Sequence, residues 1–495
     1  MGVEITREEF SDADRTSFAA RLEESLDALA LLLARPSFGA GPATLGAELE
    51  LSLVDDCGRP LPVNRAVLAS ALDPRVALEI DRFNLEINTR PVRFAGRAFG
   101  ALAAELSDGL TAVTRAVAPL GGRPITIGIL PTLVAGDLRP GMLTDSHRYR
   151  ALSIGLRRLR QEPFRIRIDG PDPLDVLCDD VTFEGANTSL QIHLRVEPAK
   201  FAATFNAAQI ATAPVLAAAG NSPLFLGHRL WAETRVALFR QAVDERIATA
   251  EEDWRPGRVS FGHGWVRRGA HELFAESVAL HPPLLPLVAP EDPIALVRDG
   301  GTPALDELRL HHGTVWRWNR AVYDATNGGH LRIELRALPA GPSVIDMTAN
   351  AAFLIGLTLA LAAEGERMVS ALTFGQCRRN FYEAARRGLD ADLLWPSLHP
   401  PSPRLVPAAR LIAELLPLAQ DALARAGIEQ EESMALLNVV AVRVAERRTG
   451  AVWQLETLAR LEGHAPREAA LRELVVRYLE HAASGRPVHE WPLDA

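Results

Sequence analysis

Leu45-Gly46-Ala47-Glu48-Leu49-Glu50-Leu51-Ser52-Leu53 alternates leucine with small or charged residues. Side chains two apart on a strand point to the same side of a sheet, so the leucines fill one face while Glu48 and Glu50 share the other. Three further stretches divide in the same way. Asn84-Leu85-Glu86-Ile87-Asn88 groups Asn84, Glu86 and Asn88, and Ser189-Leu190-Gln191-Ile192-His193-Leu194-Arg195 groups Ser189, Gln191, His193 and Arg195. Leu331-Arg332-Ile333-Glu334-Leu335-Arg336 groups Arg332, Glu334 and Arg336. Any one of these is an ordinary strand with a solvated face, as antiparallel sheets often have. Together they read differently. A solvated face mixes Thr, Ser and Lys, whereas these faces carry carboxylates, an amide, an imidazole and guanidinium groups. Clustered carboxylates repel one another unless a cation neutralises them. Oxygen-rich ligand sets suit Mg2+ or Mn2+, and a histidine among them excludes neither. Such ions bridge ATP phosphates, and arginines hold a phosphoryl group in transfer.

The bulk properties agree with a soluble enzyme. The chain has 495 residues, 48% hydrophobic and 23% charged, with a net charge of -9. That balance argues against a nucleic-acid or anionic-membrane partner, since both reward a basic face. Cys57, Cys178 and Cys377 are isolated, with no CxxC pair, so neither a disulfide framework nor a thiolate zinc site is expected. Met1 to Phe10 is polar and acidic, unlike a signal peptide. The apolar run from Ala349 to Ala363 is too short for a membrane span and reads as a buried helix. The expected compartment is the cytoplasm. Lys200 is the single lysine among 53 basic residues. No P-loop lysine is therefore available, and phosphate chemistry must rest on metal ions and arginine, whose planar fork meets phosphate bidentately.

Helical spacing predicts a helix over Ser17 to Ala34 and a long one over Phe99 to Val117. Strands are expected at Thr44 to Val54, Leu78 to Asn88, Pro124 to Leu130, Val181 to Val196 and His330 to Leu338. Met142 to Arg160 reads as helical. Glu197 to Arg246 reads mostly as helices, interrupted at Pro214 and by Gly220-Asn221-Ser222-Pro223. Beyond Met347 the pattern is helical apart from the Pro-rich stretch His399 to Pro407. The order is mixed α+β, with strands in the first two thirds and a helical tail.

In this order the motifs resemble the glutamate–cysteine ligase family of the GCS2 type. Gly46-Ala47-Glu48-Leu49-Glu50 is similar to its GxExE strand, and Leu85-Glu86-Ile87-Asn88 with Pro91 to its FELS…P segment. Ser146-His147-Arg148-Tyr149, after the Gly128 to Pro131 loop, is similar to the (K/P)GRY element, and Ser189 to Leu194 to the SxQxxL strand. Gly220-Asn221-Ser222-Pro223 with Gly227 resembles the ANSP…G loop, and Arg235, Asp244 and Arg246 fall where that family has its RS…W…D.DR helix. His312-Gly313-Thr314-Val315-Trp316, ending in Arg320, resembles HxTT(I/L)FPEVR, and His330 to Arg336 resembles the YLExR strand.

The resemblance implies a glutamine-synthetase-like antiparallel sheet with a concave metal and ATP face, flanked by helices. It makes residues 1–370 a catalytic domain and 371–495 a helical region packed on it. By the same resemblance Glu48, Glu50, Glu86, His193 and Glu334 would ligate Mg2+ or Mn2+. Gln191, Arg332 and Arg336 would lie by the ATP phosphates, with Arg332, Glu334 and Arg336 as the catalytic set. Arg148, Arg235 and Arg320 would grip substrate carboxylates or the transferring phosphate, and Tyr149 either touches substrate or packs. The implied reaction is ATP-dependent, forming an acyl phosphate of an amino acid such as glutamate and then an amide with an amine such as cysteine. Trp316-Arg317-Trp318-Asn319-Arg320 departs from the family wording, and the last 120 or so residues match none of its motifs. The acceptor amine and the oligomeric state stay open, with a ligase for another amine and a catalytically silent binding relative as the alternatives.

Overall fold

The computed structural model describes residues 5–246, 255–396 and 402–493. Strand β1 (Thr44–Asp55) forms where the sequence alternates, and its Leu45, Leu49, Leu51 and Leu53 are completely buried. β2 (Val76–Leu78), β3 (Asn84–Asn88), β4 (Val92–Arg93) and β5 (Gly122–Ile125) follow it. A side hairpin of β6 (Phe164–Ile168) and β7 (Leu174–Cys178) precedes β8 (Leu190–Val196). A second small hairpin, β9 (Leu224–Phe225) and β10 (His228–Arg229), comes before β11 (Asn319–Asp324) and β12 (His330–Leu335). Eight of these strands make one antiparallel sheet, ordered β11-β12-β8-β1-β3-β2, with β4 and β5 pairing to the two ends of β1. The four quoted stretches are thus the sheet's four adjacent strands β12, β8, β1 and β3.

Helices cover the leucine face. Helix Ala98–Val117 packs on β1, β3 and β5. It comes close because of Gly109, where a Cβ would stand 2.5 Å from Ile87 Cγ2. Helices Phe201–Ala219 and Val344–Glu364 pack on each other. Both are long and apolar enough to cross a membrane, yet 89% and 78% of their apolar windows lie inside the protein. Helices Ala408–Arg425 and Gln430–Ala445 pack on Val344–Glu364, and Gly450–Glu462 packs on Arg467–Ala483.

Several element boundaries differ from the sequence reading, each for a local reason. Leu78 to Asn88 is two strands, because Ile80 O accepts from Thr144 N at 2.7 Å, Arg82 N donates to Met142 O at 2.8 Å and Asn84 N turns back to Asp81 O at 2.8 Å. The stretch from Val181 opens with a helical turn, Thr182–Gly185, whose first N–H donates to Asp180 Oδ1 at 2.8 Å, and the strand begins only at Leu190. Past Ile125 the chain leaves β1, and Ile129 bridges Asn187 instead. Helix His147–Leu159 starts later than Met142. Pro214 does not interrupt helix Phe201–Ala219; burial on nearly all sides outweighs the one backbone bond that proline removes. In the C-terminal region a hairpin of β13 (Asp392–Pro396) and β14 (Pro403–Pro407) stands among the helices. His399, at the start of the Pro-rich stretch, lies outside the described residues.

Candidate active site

Residues directly opposite in antiparallel strands share a face of the sheet. Glu50 stands opposite Glu86, and Glu48 opposite Asn88 on one side and Gln191 on the other. His193 stands opposite Glu334, and Glu334 opposite Arg320. The register therefore gathers Glu48, Glu50, Glu86, Gln191, His193, Arg320, Arg332 and Glu334 on the face away from the leucines. Arg336, just past β12, follows the same parity and donates to Gln191 Oε1.

Two groups on this face are placed to hold a divalent cation. In the first, Glu48, His193 and Glu334 offer ligand atoms within 4.8 Å of one another. His193 Nε2 lies 3.1 Å from Glu48 Oε1 and 3.7 Å from Glu334 Oε1. The imidazole is buried, with Nδ1 making no hydrogen bond and Nε2 facing the two carboxylates. In the second group, Glu50, Glu79 and Glu86 do the same. Glu50 is tightly held: Ser189 N and Oγ donate to Oε2 at 2.7 and 2.9 Å, and Gln191 Nε2 donates to Oε1 at 2.7 Å. Carboxylate and imidazole donors with unspent lone pairs fit Mg2+ or Mn2+.

The electrostatics of the two groups differ. At Glu334, burial pushes the carboxyl upward, but Arg320, Arg336 and His193 more than reverse this and hold it well below the usual range. Arg320 grips it with two prongs, Nε to Oε2 at 2.5 Å and Nη2 to Oε1 at 3.0 Å, and Arg336 Nη1 stands 3.3 Å from Oε1. Glu48 is likewise lowered, burial being outweighed by His193. In the second group burial wins. Glu79 and Glu86 are pushed far up by burial and by neighbouring carboxylates, and Glu50 is raised in spite of Arg336. This half of the face is short of positive charge, which a divalent ion would supply.

A cavity of about 180 Å3 opens beside the first group, bounded by Glu48, His193, Glu334, Arg148, Arg320 and Arg332. Arg332 pairs loosely with Asp324, at 3.3 Å. Two expected substrate contacts are engaged by the protein itself. Arg235 is 2% exposed; its Nε stands 3.0 Å from Glu233 Oε1 and its Nη2 donates to Ala337 O at 3.0 Å, so the fork is turned to the protein. Tyr149 donates its hydroxyl to Leu78 O at 2.8 Å, and its partly buried ring packs against the core.

Sequence parity misses Glu79. In one unbroken strand, residues 79 and 86 would face opposite sides; the turn between β2 and β3 resets the parity and brings them together. Glu184, in the turn before β8, is a second omission. Its carboxyl is pushed up to about 8 by burial and by Glu50, against the pull of Arg336. The only sequence trace of the first residue is the acidic run Glu79-Ile80-Asp81.

Residues 44–476 match the glutamate–cysteine ligase family 2 (GCS2), and the chain belongs to that family of amide-forming ligases. No curated protein matches it. Among solved structures, the glutamate–cysteine ligase of Francisella tularensis, in complex with AMP, aligns with a TM-score of 0.56 at 12% identity. The alignment covers 93% of this chain and 91% of that one. A bifunctional glutathione synthetase from Pasteurella multocida aligns with a TM-score of 0.48 at 11% identity, over 95% of this chain and 55% of that one. The fold is the glutamine-synthetase-like one, a curled antiparallel half-barrel with helices behind it.

Proposed function

We propose that the protein uses ATP to join the carboxylate of glutamate to the amine of cysteine, acting in the cytoplasm with Mg2+ or Mn2+ on the sheet face. One observation carries this reading: Glu48–His193–Glu334 and Glu50–Glu79–Glu86 stand side by side on one face, each drawing one member from β1. Family membership supports the choice of glutamate and cysteine. Bound divalent ions would neutralise phosphate charge there. Arg332 and Arg336 reach the same face and hold the phosphoryl group in transfer, while Arg320 fixes Glu334. A carboxylate oxygen of the acid attacks the γ-phosphorus and ADP leaves, giving an acyl phosphate. The amine nitrogen then attacks the acyl carbon, phosphate departs and an amine proton is released. No protein nucleophile is required, in keeping with the buried thiol of Cys178, which burial pushes up to about 12.

A second reading keeps the acid and changes the amine. It is favoured by Trp316-Arg317-Trp318, where the family motif has other residues and where Arg317 is buried and paired with Glu276 at 2.7 Å. Release of ADP and phosphate, measured over a panel of acids and amines with product masses, decides between them. The expected result is release that requires glutamate and cysteine together, with a product lighter than their sum by one water. Release with glutamate and a different amine selects the second reading. Hydrolysis of ATP that ignores every acid removes both.

A further inference from the structure

Asn221 is completely buried in the loop between helix Phe201–Ala219 and β9, and residues of the C-terminal helices Gly450–Glu462 and Arg467–Ala483 hold it. Its Nδ2 donates to Tyr478 Oη at 2.8 Å, and that hydroxyl donates onward to Thr126 O at 2.8 Å. Gln454 Nε2 donates to Asn221 Oδ1 at 2.9 Å and to Asn221 O at 3.1 Å. Gly450 makes room for this contact, since a Cβ there would stand 2.1 Å from Asn221 Oδ1.

From Asn221 a continuous set of bonds runs to the cation cluster. Asn221 Nδ2 donates to Ala340 O at 2.7 Å, and Asn221 O accepts from Gly128 N at 3.3 Å. Those two segments grip Thr188 between them: Thr188 N donates to Gly128 O at 2.9 Å, and Thr188 O accepts from Ala340 N at 3.2 Å. The next residue, Ser189, gives both its N–H and its hydroxyl to Glu50. Asn221 N also donates to Glu233 Oε2 at 3.0 Å, and Glu233 pairs with Arg235, whose charge faces Glu50.

We infer that Tyr478 and Gln454 are positioning residues for Glu50: through Asn221, Gly128, Ala340 and Thr188 they set the Ser189 donors that aim this carboxylate at the second cation. The inference rests on the proposed ion-binding role of Glu50, Glu79 and Glu86. Outer partners of a metal ligand typically change affinity or activity by roughly 10- to 100-fold when removed. Tyr478→Phe keeps the ring that packs against Trp453 and Trp491 and removes only the hydroxyl.

The test is Mn2+ binding to the whole protein, followed by electron paramagnetic resonance, for wild type, Tyr478→Phe, Gln454→Leu and Leu411→Ala. Leu411 is a core residue of helix Ala408–Arg425 and takes no part in these bonds. Its truncation reports what loss of stability alone does. The expected result is two Mn2+ sites in the wild type, one of them weakened by up to about tenfold in Tyr478→Phe and Gln454→Leu and the other unchanged. Leu411→Ala should melt earlier and bind both ions as the wild type does. In the assay of ADP release, kcat should fall in the two variants while the KM for ATP holds. Wild-type affinities in Tyr478→Phe and Gln454→Leu, or equal weakening in Leu411→Ala, overturn the positioning role alone. A wild-type protein that binds no Mn2+ overturns the cation reading and this inference with it.

Discussion

Glu334→Gln separates a working carboxylate from a structural one. Glu334 is 1% exposed and shares its two oxygens among Arg320, Arg336 and the edge of His193. Glutamine keeps the shape and one acceptor oxygen, but it turns an N–H2 toward guanidinium donors and removes the charge. Removing one partner of a buried ion pair costs about 3–5 kcal/mol, and the acceptor that glutamine retains puts this case near the lower end, about 3 kcal/mol. That cost falls on folding; a comparable loss of about 3 kcal/mol in transition-state stabilisation, through a weakened hold on the proposed cation, is about two decades of rate. The expected outcome is therefore a fall in glutamate-dependent ADP release of about a hundredfold or more. Weakened Mn2+ binding at one site should accompany it. Melting followed in parallel shows how much of the change is stability. A variant that melts earlier but turns over and binds Mn2+ like the wild type would refute the reasoning, because the carboxylate would then serve only to neutralise Arg320 and Arg336.

Gly109→Ala sets helix propensity against packing. Alanine gains about 0.5–1 kcal/mol in a helix interior, yet its Cβ meets Ile87 at 2.5 Å and overpacking costs about 1–3 kcal/mol, so the variant should unfold at lower urea than the wild type. Mg2+ should raise the melting temperature more at about pH 8 than at about pH 6. The reason is that Glu79 and Glu86, raised by burial and by their neighbours, keep protons when folded that the unfolded chain loses above 4.5. The ion-free protein therefore loses stability as pH rises from 4.5 toward those raised values, and an ion that displaces the protons binds more tightly as it does so. An increment independent of pH, measured by calorimetry, would count against the second cluster. Arg235→Lys should lower the melting temperature while the Michaelis constants for glutamate and ATP shift together, since the fork serves Glu233 and Ala337 O. A rise for glutamate alone would restore Arg235 to the substrate site.

What was legible in the sequence follows from the range of each signal. The β1, β3, β8 and β12 faces could be read because a strand's alternation is local, and a run of leucines fixes which side is buried. Their sharing of one face is a matter of register, which the sequence suggests only through the chemistry the four have in common. Glu79 was illegible because a turn intervenes and its outward hydrogen bonds go to residues 142–144, far along the chain. The pairing of Arg235 was illegible because its partner, Glu233, is two residues away on a bend where the buried side depends on what packs above it. Tyr478 and Gln454 carry no local mark at all; their role exists only because helices from the end of the chain meet a loop from its middle.

Glu48 and Glu50 belong to different side-chain clusters, each a candidate cation site, and stand two residues apart on β1. Two residues of extended strand span about 6.7 Å, a length set by covalent geometry. The backbone thus works as a ruler: repacking side chains or loops shifts either cluster as a whole but leaves the pitch between them untouched. A single inserted residue between Glu48 and Glu50 would turn one of them onto the leucine face and abolish a cluster outright. On the proposed reading, the spacing of two ions held by these clusters would be a quantity that substitutions cannot tune gradually, whereas the walls around the substrates would remain free to vary. Drift in what such an enzyme joins is consequently expected to accumulate in the loops and helix ends around β1, with the strand itself held to one length.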